Sequence, residues 1–255
     1  MLLTLDVGNT NIKFAIYNGN ERIAFDMLDS KPVDFRSFFL SFLYKANLRE
    51  TQIDDAIISC VVPTLFEDIY NAIREIIGKN PYVIDSDHYY GIEVDPSVQD
   101  KVGSDLLVIC AYAYQNIKRE LLMVSLGTAT VIVHVTADGK CKNFVIAPGF
   151  GSMASAIFSK AAQLPDFTPK KHQGFLANNT VDAMNVGVYD GFVGMVRYLI
   201  SGVKAELKTN PIVIGCGGAG KDVSKYIIEF KSYNPDMVTD GLAFIYNRYI
   251  KQWIK

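Results

Sequence analysis

The sequence predicts an α/β protein in which one domain plan occurs twice. Three observations carry that expectation. Residues 2–28 read as an apolar strand, a tight Gly8-Asn9-Thr10 turn and two further strands. Residues 121–147 retrace the same design. Elsewhere, short apolar runs alternate with stretches of helical periodicity, the pattern of helices covering a mixed sheet.

Each element has its own warrant. Leu2 to Val7 is an apolar strand that delivers one carboxylate, Asp6, at its end. Ile12, Phe14 and Ile16 alternate with Lys13, Ala15 and Tyr17 as a second strand, half buried. Asn18-Gly19 is a hairpin signal, and Ile23, Phe25 and Met27 supply a third strand. From Asp34 to Ala46, Phe35, Phe38, Phe39, Phe42 and Leu43 form a helical apolar stripe suited to a core. Ala56 to Val62 is a continuous apolar run suited to a buried parallel strand. Pro63-Thr64 opens a helix over Leu65 to Ile77, Gly78 stops it, and Tyr82 to Ile84 is a short strand. Residues 87–102 are polar and irregular, and Gly103-Ser104-Asp105 directly precedes an apolar helix from Leu106 to about Lys118.

In the second copy, Leu2 to Thr10 lies against Leu121 to Ala129, and Ile12, Phe14 and Ile16 fall on Val131, Val133 and Val135. Asp138-Gly139 repeats the hairpin turn one residue late, and Phe144 to Ala147 closes the unit. Asp6 becomes Ser125. The Pro148-Gly149 turn leads into a helix from Ser152 to Gln163 that ends at Leu164-Pro165. Asn178-Asn179-Thr180 caps a long helix from Val181 to about Gly202, where Gly187, Gly191 and Gly194 would let it approach another element closely. The expected domains are 1–118 and 119–255, with a cleft between two phosphate-binding turns.

Composition excludes several classes. With 255 residues, 49% hydrophobic and 20% charged, the chain can bury a substantial core. A net charge of −2 leaves no electrostatic footprint for nucleic acid. Cys60, Cys110, Cys141 and Cys216 are scattered without a CxxC pair, and His88, His134 and His172 form no ligand motif. The chain enters a strand at once without a signal peptide, and no apolar run reaches the roughly 18–20 residues of a membrane span. A cytoplasmic protein with no membrane partner is expected.

The chemistry starts at the first turn. A Gly-Asn-Thr turn between strands offers backbone N–H groups to an anion. A lone carboxylate beside it would repel phosphate, so Asp6 makes sense next to a divalent cation that phosphate also binds. Asp105 admits two readings. Ser104 or Asp105 is an ordinary cap of the following helix, or Asp105 is a general base held in the first turn, its pKa lowered by the helix N-terminus. Residues 211–222 nearly fit two motifs. Gly215-x-Gly217-x-x-Gly220 resembles a dinucleotide fingerprint but comes too late in the chain to open such a domain. Gly220-Lys221 resembles the end of a phosphate-binding P-loop, but Asp222 replaces the hydroxyl that would hold magnesium. A Gly217-Gly218 turn that lets a purine and ribose approach backbone fits better.

Taken in order, Asp6-x-Gly8-Asn9-Thr10, Ser59-Cys60-Val61-Val62-Pro63, Val102-Gly103-Ser104-Asp105, Gly127-Thr128-Ala129-Thr130, Pro148-Gly149, Leu164-Pro165, Asn179-Thr180 and Gly217-Gly218 resemble the type III pantothenate kinases over nearly the whole chain. The resemblance implies two ribonuclease-H-like domains of the actin-like ATPase fold, usually in a homodimer, and ATP-dependent phosphorylation of pantothenate at the start of coenzyme A synthesis. It implies ATP phosphates at Asp6, Val7, Gly8, Asn9, Thr10, Asn11, Ile12 and Lys13, with Mg2+ at Asp6. Further ATP contacts would be Gly127, Thr128, Gly217 and Gly218. Asp105 would be the base, and Gly103, Ser104, Asp105, Leu106 and Thr180 would meet pantothenate.

The chain also departs from that pattern. Leu106 stands where the family carries an arginine facing the anionic substrate, and Ser125 where an aspartate holds a monovalent cation (K+ or NH4+). Val133 replaces a further aspartate, and Asn143-Phe144 a Gly-Gly pair. Two alternatives therefore stand beside the kinase: a relative that binds nucleotide or pantothenate as an accessory protein, and a kinase for another small hydroxy compound.

Overall fold

The computed structural model describes residues 1–31, 34–99, 102–158 and 169–253. Its first sheet grows from β1 (Leu2–Val7), whose run of apolar residues is buried on both faces. Strands β2 (Asn11–Asn18) and β3 (Glu21–Asp29) follow as an antiparallel meander. Strands β4 (Asp55–Cys60) and β5 (Tyr82–Val83) add in parallel beyond β1, giving the order β3-β2-β1-β4-β5. Leu3, Leu5 and Val7 join Ile12, Phe14, Ile16 and Ile58 in one core, covered by α1 (Phe35–Lys45) and α2 (Pro63–Ile77). Pro63 sits at the start of α2, where its missing N–H costs nothing, and Gly78 ends it in the left-handed conformation at φ 68°. The stretch expected to be irregular contains one short strand, β6 (Glu93–Val94).

The other face of this sheet is covered by α3 (Ser104–Ile117) and by a C-terminal helix, Met237–Ile245. The chain divides into two compact units, Met1–Ile117 with Met237–Lys255, and Lys118–Asp236. The C-terminal stretch expected in the second domain thus belongs to the first. Its helix buries Met237, Leu242, Ala243 and Ile245, and Tyr17 on β2 donates a hydrogen bond to its Asp240.

The second unit repeats the first. Strands β7 (Leu121–Leu126), β8 (Ala129–Val135), β9 (Lys140–Pro148), β10 (Ile212–Cys216) and β11 (Ser232–Asn234) run in the order β9-β8-β7-β10-β11. β7 reproduces the burial of β1 position by position, and both meanders carry an irregularity near the end of their second strand. The correspondence shifts after the turn, however. Val7 pairs with Ile12, whereas Leu126 pairs with Thr130, so the second turn is one residue shorter. Ile12, Phe14 and Ile16 therefore match Thr130, Ile132 and His134, not Val131, Val133 and Val135. A one-residue slip exchanges the faces of a strand; Ile132 is the residue that joins Leu122, Val124 and Leu126 in the core.

Helix α4 (Phe150–Phe158) begins two residues before the expected start, and its expected end, with Leu164-Pro165, lies outside the described residues. The long helix runs as α5 (Thr180–Asn185), a π-helical turn at Val186–Asp190, and α6 (Gly191–Leu207). Close packing at its glycines does not occur at Gly187 or Gly194, where an added side-chain carbon would meet nothing within 4 Å. Those glycines lie on the exposed side, while Val188, Tyr189, Phe192, Val196 and Ile200 face the core.

Gly241 behaves differently. A side-chain carbon there would stand 2.7 Å from Val108 Cγ1 and 3.2 Å from Tyr112 Cβ on α3. Overpacking predicts that Gly241→Val lowers the unfolding free energy by about 1–3 kcal/mol. Urea titration should show a lower midpoint with an unchanged slope; an unmoved midpoint would rule out this helix–helix contact.

Candidate active site

In the first unit, Asp6 sits half-buried near the end of β1, in register with Lys13 on β2 and Ser59 on β4. Directly opposed residues project to the same face of a sheet, so a carboxylate, an ammonium and a hydroxyl share that face. The turn after β1 is closed by the Gly8 N–H donating to the Asn11 carbonyl at 3.1 Å. Ser30, the residue after β3, holds the turn: its N–H donates to the Thr10 carbonyl at 2.9 Å and its hydroxyl to the Gly8 carbonyl. Asn9 and Thr10 are left exposed at the tip, with Asn11 half-buried beside them. Val7 and Ile12 bury their side chains in the core, so the turn can use only their backbone.

The start of α3 is tied to the same strand ends. The Val61 N–H donates to the Val7 carbonyl at 3.0 Å, extending the β1–β4 ladder. Ser104 donates to the Cys60 carbonyl at 3.3 Å, and its Oγ lies 2.9 Å from the Ser59 Oγ. With the Ser104 proton on that carbonyl, Ser59 is the donor of the second bond. Gly103 leaves the space that Asp105 occupies; a side-chain carbon at 103 would lie 2.7 Å from Asp105 Oδ1. Asp105 Oδ1 accepts from the Leu106 N–H at 2.8 Å.

The electrostatics of Asp105 correct one expectation. Its residue surface is half-buried, but the carboxyl lies deep among protein atoms, and desolvation pushes its pKa above the usual carboxylate range. The backbone N–H groups of Leu106 and Asp105 itself pull the other way and do not win. The lowering expected from the helix N-terminus is thus outweighed by burial. Near Asp6, burial and the Asp6 charge both raise the Cys60 thiol pKa, so this cysteine is not an activated nucleophile.

In the second unit three chain segments converge on the turn after β7. The Gly127 N–H donates to the Ala129 carbonyl at 3.0 Å, and the Ser152 hydroxyl to the Thr128 carbonyl at 2.7 Å. A side-chain carbon at Gly149 would stand 2.2 Å from the Gly127 carbonyl oxygen. Gly217, at φ +98°, would set such a carbon 2.4 Å from the Leu126 carbonyl oxygen. Only glycine permits either approach. Gly218 follows at the start of a short 3-10 turn. Ser125 is half-buried on β7, in register with Val131 and Cys216, where the first unit has Lys13 and Ser59 beside Asp6. Thr180 begins α5 and is exposed; Asn179, not Thr180, is the cap, its Oδ1 accepting from the Asp182 N–H at 2.9 Å.

The first unit therefore brings Asp6, Gly8, Lys13, Gly103, Ser104 and Asp105 onto connected strand and helix ends, and the second gathers Gly127, Thr128, Gly217 and Gly218. Sequence reading gave no role to the hydroxyls of Ser30, Ser59 and Ser152, each of which fixes a site turn or helix. Ser59 was the one polar member of an apolar run and the first residue of the Ser59-Cys60-Val61-Val62-Pro63 motif, but neither signal pointed to Ser104 as its partner. Among the described residues no three His, Cys, Asp or Glu side chains gather as a metal site. Magnesium does not require one, since it is held by one or two carboxylates together with phosphate oxygens and water. A half-buried carboxylate beside a turn with an exposed tip fits that donor set.

The two related sheets, each bearing a turn after its central strand, define the actin-like ATPase fold. MreB 5 of Spiroplasma citri bound to AMPPNP superposes with a TM-score of 0.52 at 12% identity, covering 99% of this chain and 97% of that one. (R)-2-hydroxyglutaryl-CoA dehydratase component A from Acidaminococcus fermentans gives 0.57 at 12% identity over 100% and 99%. The family is narrower. The sequence profile of type III pantothenate kinase matches residues 2–202. The type III pantothenate kinase of Citrifermentans bemidjiense is 32% identical over 253 residues, 97% of this chain and 99% of that protein. That of Geotalea uraniireducens is 33% identical over 97% and 98%. The chain belongs to the type III pantothenate kinase family.

Burial of Asp105 has a measurable consequence. The folded protein holds this proton more tightly than the unfolded chain, so stability falls as pH rises from about 3.8 through the raised native pKa. Asp105→Asn removes the charge that burial disfavours. Its melting temperature should match wild type at the acid end of that window and exceed it above, as read by thermal denaturation across pH. A constant difference at every pH would show that Asp105 titrates normally.

Proposed function

We propose that this protein transfers the γ-phosphoryl group of ATP to the hydroxyl of pantothenate, as the family's kinases are named for doing. One observation carries the reading beyond family membership: Asp105, a desolvated carboxyl, directly follows Ser104, whose hydroxyl is hydrogen bonded to Ser59 and Cys60 on β4, the strand paired with the one that presents Asp6. Phosphoryl transfer needs positioning and charge stabilisation more than covalent chemistry. In this reading the Gly8–Asn11 turn and Lys13 hold the phosphates. Magnesium, held through Asp6, would neutralise their charge. Asp105 takes the proton of the attacking hydroxyl as its oxygen bonds to the γ-phosphorus and the bond to ADP breaks. A raised pKa makes it a stronger acceptor for that proton.

The remaining roles follow the same reading. Gly127, Thr128, Gly217 and Gly218 receive the rest of ATP through close backbone approach, and Gly103, Ser104, Leu106 and Thr180 line the acceptor side. Ser125 offers a monovalent cation a hydroxyl, not a carboxylate. Phe175 and Leu176 leave apolar surface exposed near α5, as does the adjoining Val181; a homodimer would cover it. The reaction draws on ATP and belongs in the cytoplasm. Leu106 favours a second reading, a less anionic hydroxy acceptor, because it cannot pair with a carboxylate.

Magnesium-dependent formation of phosphopantothenate from ATP tests the proposal, with other hydroxy compounds run in parallel. Asp105→Asn should lower kcat by about 10²–10⁴ while ATP still binds. Asp6→Asn should raise the magnesium requirement. Turnover unchanged by Asp105→Asn would remove it as the base, and turnover of a different acceptor alone would select the second reading.

A further inference from the structure

We infer that Ser59 is a positioning residue for phosphoryl transfer, joining the strand that carries Asp6 to the helix start that carries Asp105. The inference rests on the kinase reading above. Ser59 is fully buried on β4 and stands in register with Asp6 on β1, so the two project to the same face. Its Oγ is hydrogen bonded to the Ser104 Oγ at 2.9 Å, and Ser104 also bonds the carbonyl of Cys60, the next residue of β4. Cys60 is linked in turn to the phosphate turn, because the Val61 N–H donates to the Val7 carbonyl, one residue before Gly8.

A helix capped only for stability needs one acceptor for its orphan N–H groups. Here the hydroxyl of Ser104 makes neither bond to the helix itself. Both go sideways, to the side chain of Ser59 and the backbone of Cys60. Two bonds from one oxygen to adjacent residues of β4 fix both the distance and the rotation of α3's first turn relative to β1. Asp105 is the next residue along that turn, and Gly103 leaves free the space its carboxyl occupies, since a side-chain carbon at 103 would stand 2.7 Å from Asp105 Oδ1. Reactive geometry tolerates little error, since a misplacement of about 1 Å can cost roughly 10²-fold in rate.

The test is steady-state kinetics of wild type, Ser59→Ala, Ser104→Ala and the double variant, with Ser59→Cys as a near-isosteric control. Ser59→Ala should reduce kcat about tenfold, with KM for ATP and for pantothenate within about threefold of wild type. The double variant should be no slower than Ser104→Ala, because both changes break the same bond. Ser59→Cys, which keeps a weak donor, should recover part of kcat. A purely structural serine predicts a lower melting temperature with kcat unmoved at a temperature where each variant is folded; that result would overturn the inference while leaving the kinase intact. Multiplicative losses in the double variant would also overturn it. A wild-type protein without turnover would sink the kinase reading and this inference with it.

Discussion

The burial of β1 on both faces is the constraint from which the first unit follows. A strand in that position cannot end in a charged residue unless the chain beyond it opens to solvent. Asp6 is accordingly placed one residue before the last of the strand, half-buried, with the exposed Asn9 and Thr10 just past it. Everything that touches β1 then has a fixed place. β2 supplies Lys13 opposite Asp6, β4 supplies Ser59 beside it, and the first turn of α3 is fastened to the end of β4. Charge at one end of the strand and dense apolar packing along the rest are two consequences of one arrangement.

The second unit keeps the scaffold and discards the charge. Its central strand repeats the burial of β1, yet Ser125 replaces Asp6, Val131 takes the place of Lys13, and Cys216 that of Ser59. What it gains is glycine at the points of closest backbone approach, Gly149 against the Gly127 carbonyl and Gly217 against Leu126. In the proposed reading the first copy meets the phosphates and takes the proton, while the second, with its close backbone approaches, meets the rest of ATP.

Much of this was legible in the residues. The apolar alternation of Ile12, Phe14 and Ile16, the Pro63 start and the Gly78 stop each reflect a local preference that tertiary packing did not override. The register of the second copy was not legible, because turn length is set by hydrogen bonding at Gly127 and Ala129, and Val131, Val133 and Val135 are more apolar as a set than Thr130, Ile132 and His134, with Val133 and Val135 themselves buried. Nor was the return of the C-terminal helix to the first unit, since its apolar residues would suit either core. At the site, Asp6 and Asp105 announced themselves as charges next to turns. The role of Ser59 was not legible even though its motif was, since the meaning of a serine in an apolar strand depends on a partner 45 positions away.

Asp105 and Leu106 bear on each other. An arginine at 106 would place a cation close to Asp105, and a nearby opposite charge lowers a carboxylate's pKa. With leucine there, the desolvation of Asp105 is opposed only by backbone N–H groups, and its pKa stays high. The same substitution removes a fork-shaped donor for the substrate's carboxylate, a contact of about 1.5–3 kcal/mol. The exchange thus weakens anchoring of an anionic acceptor while making the base a better proton acceptor. The two effects act on different quantities, the first on KM and the second on the proton-transfer step within kcat. Leu106→Arg should therefore lower the KM for pantothenate without a proportionate gain in kcat, as read by steady-state kinetics.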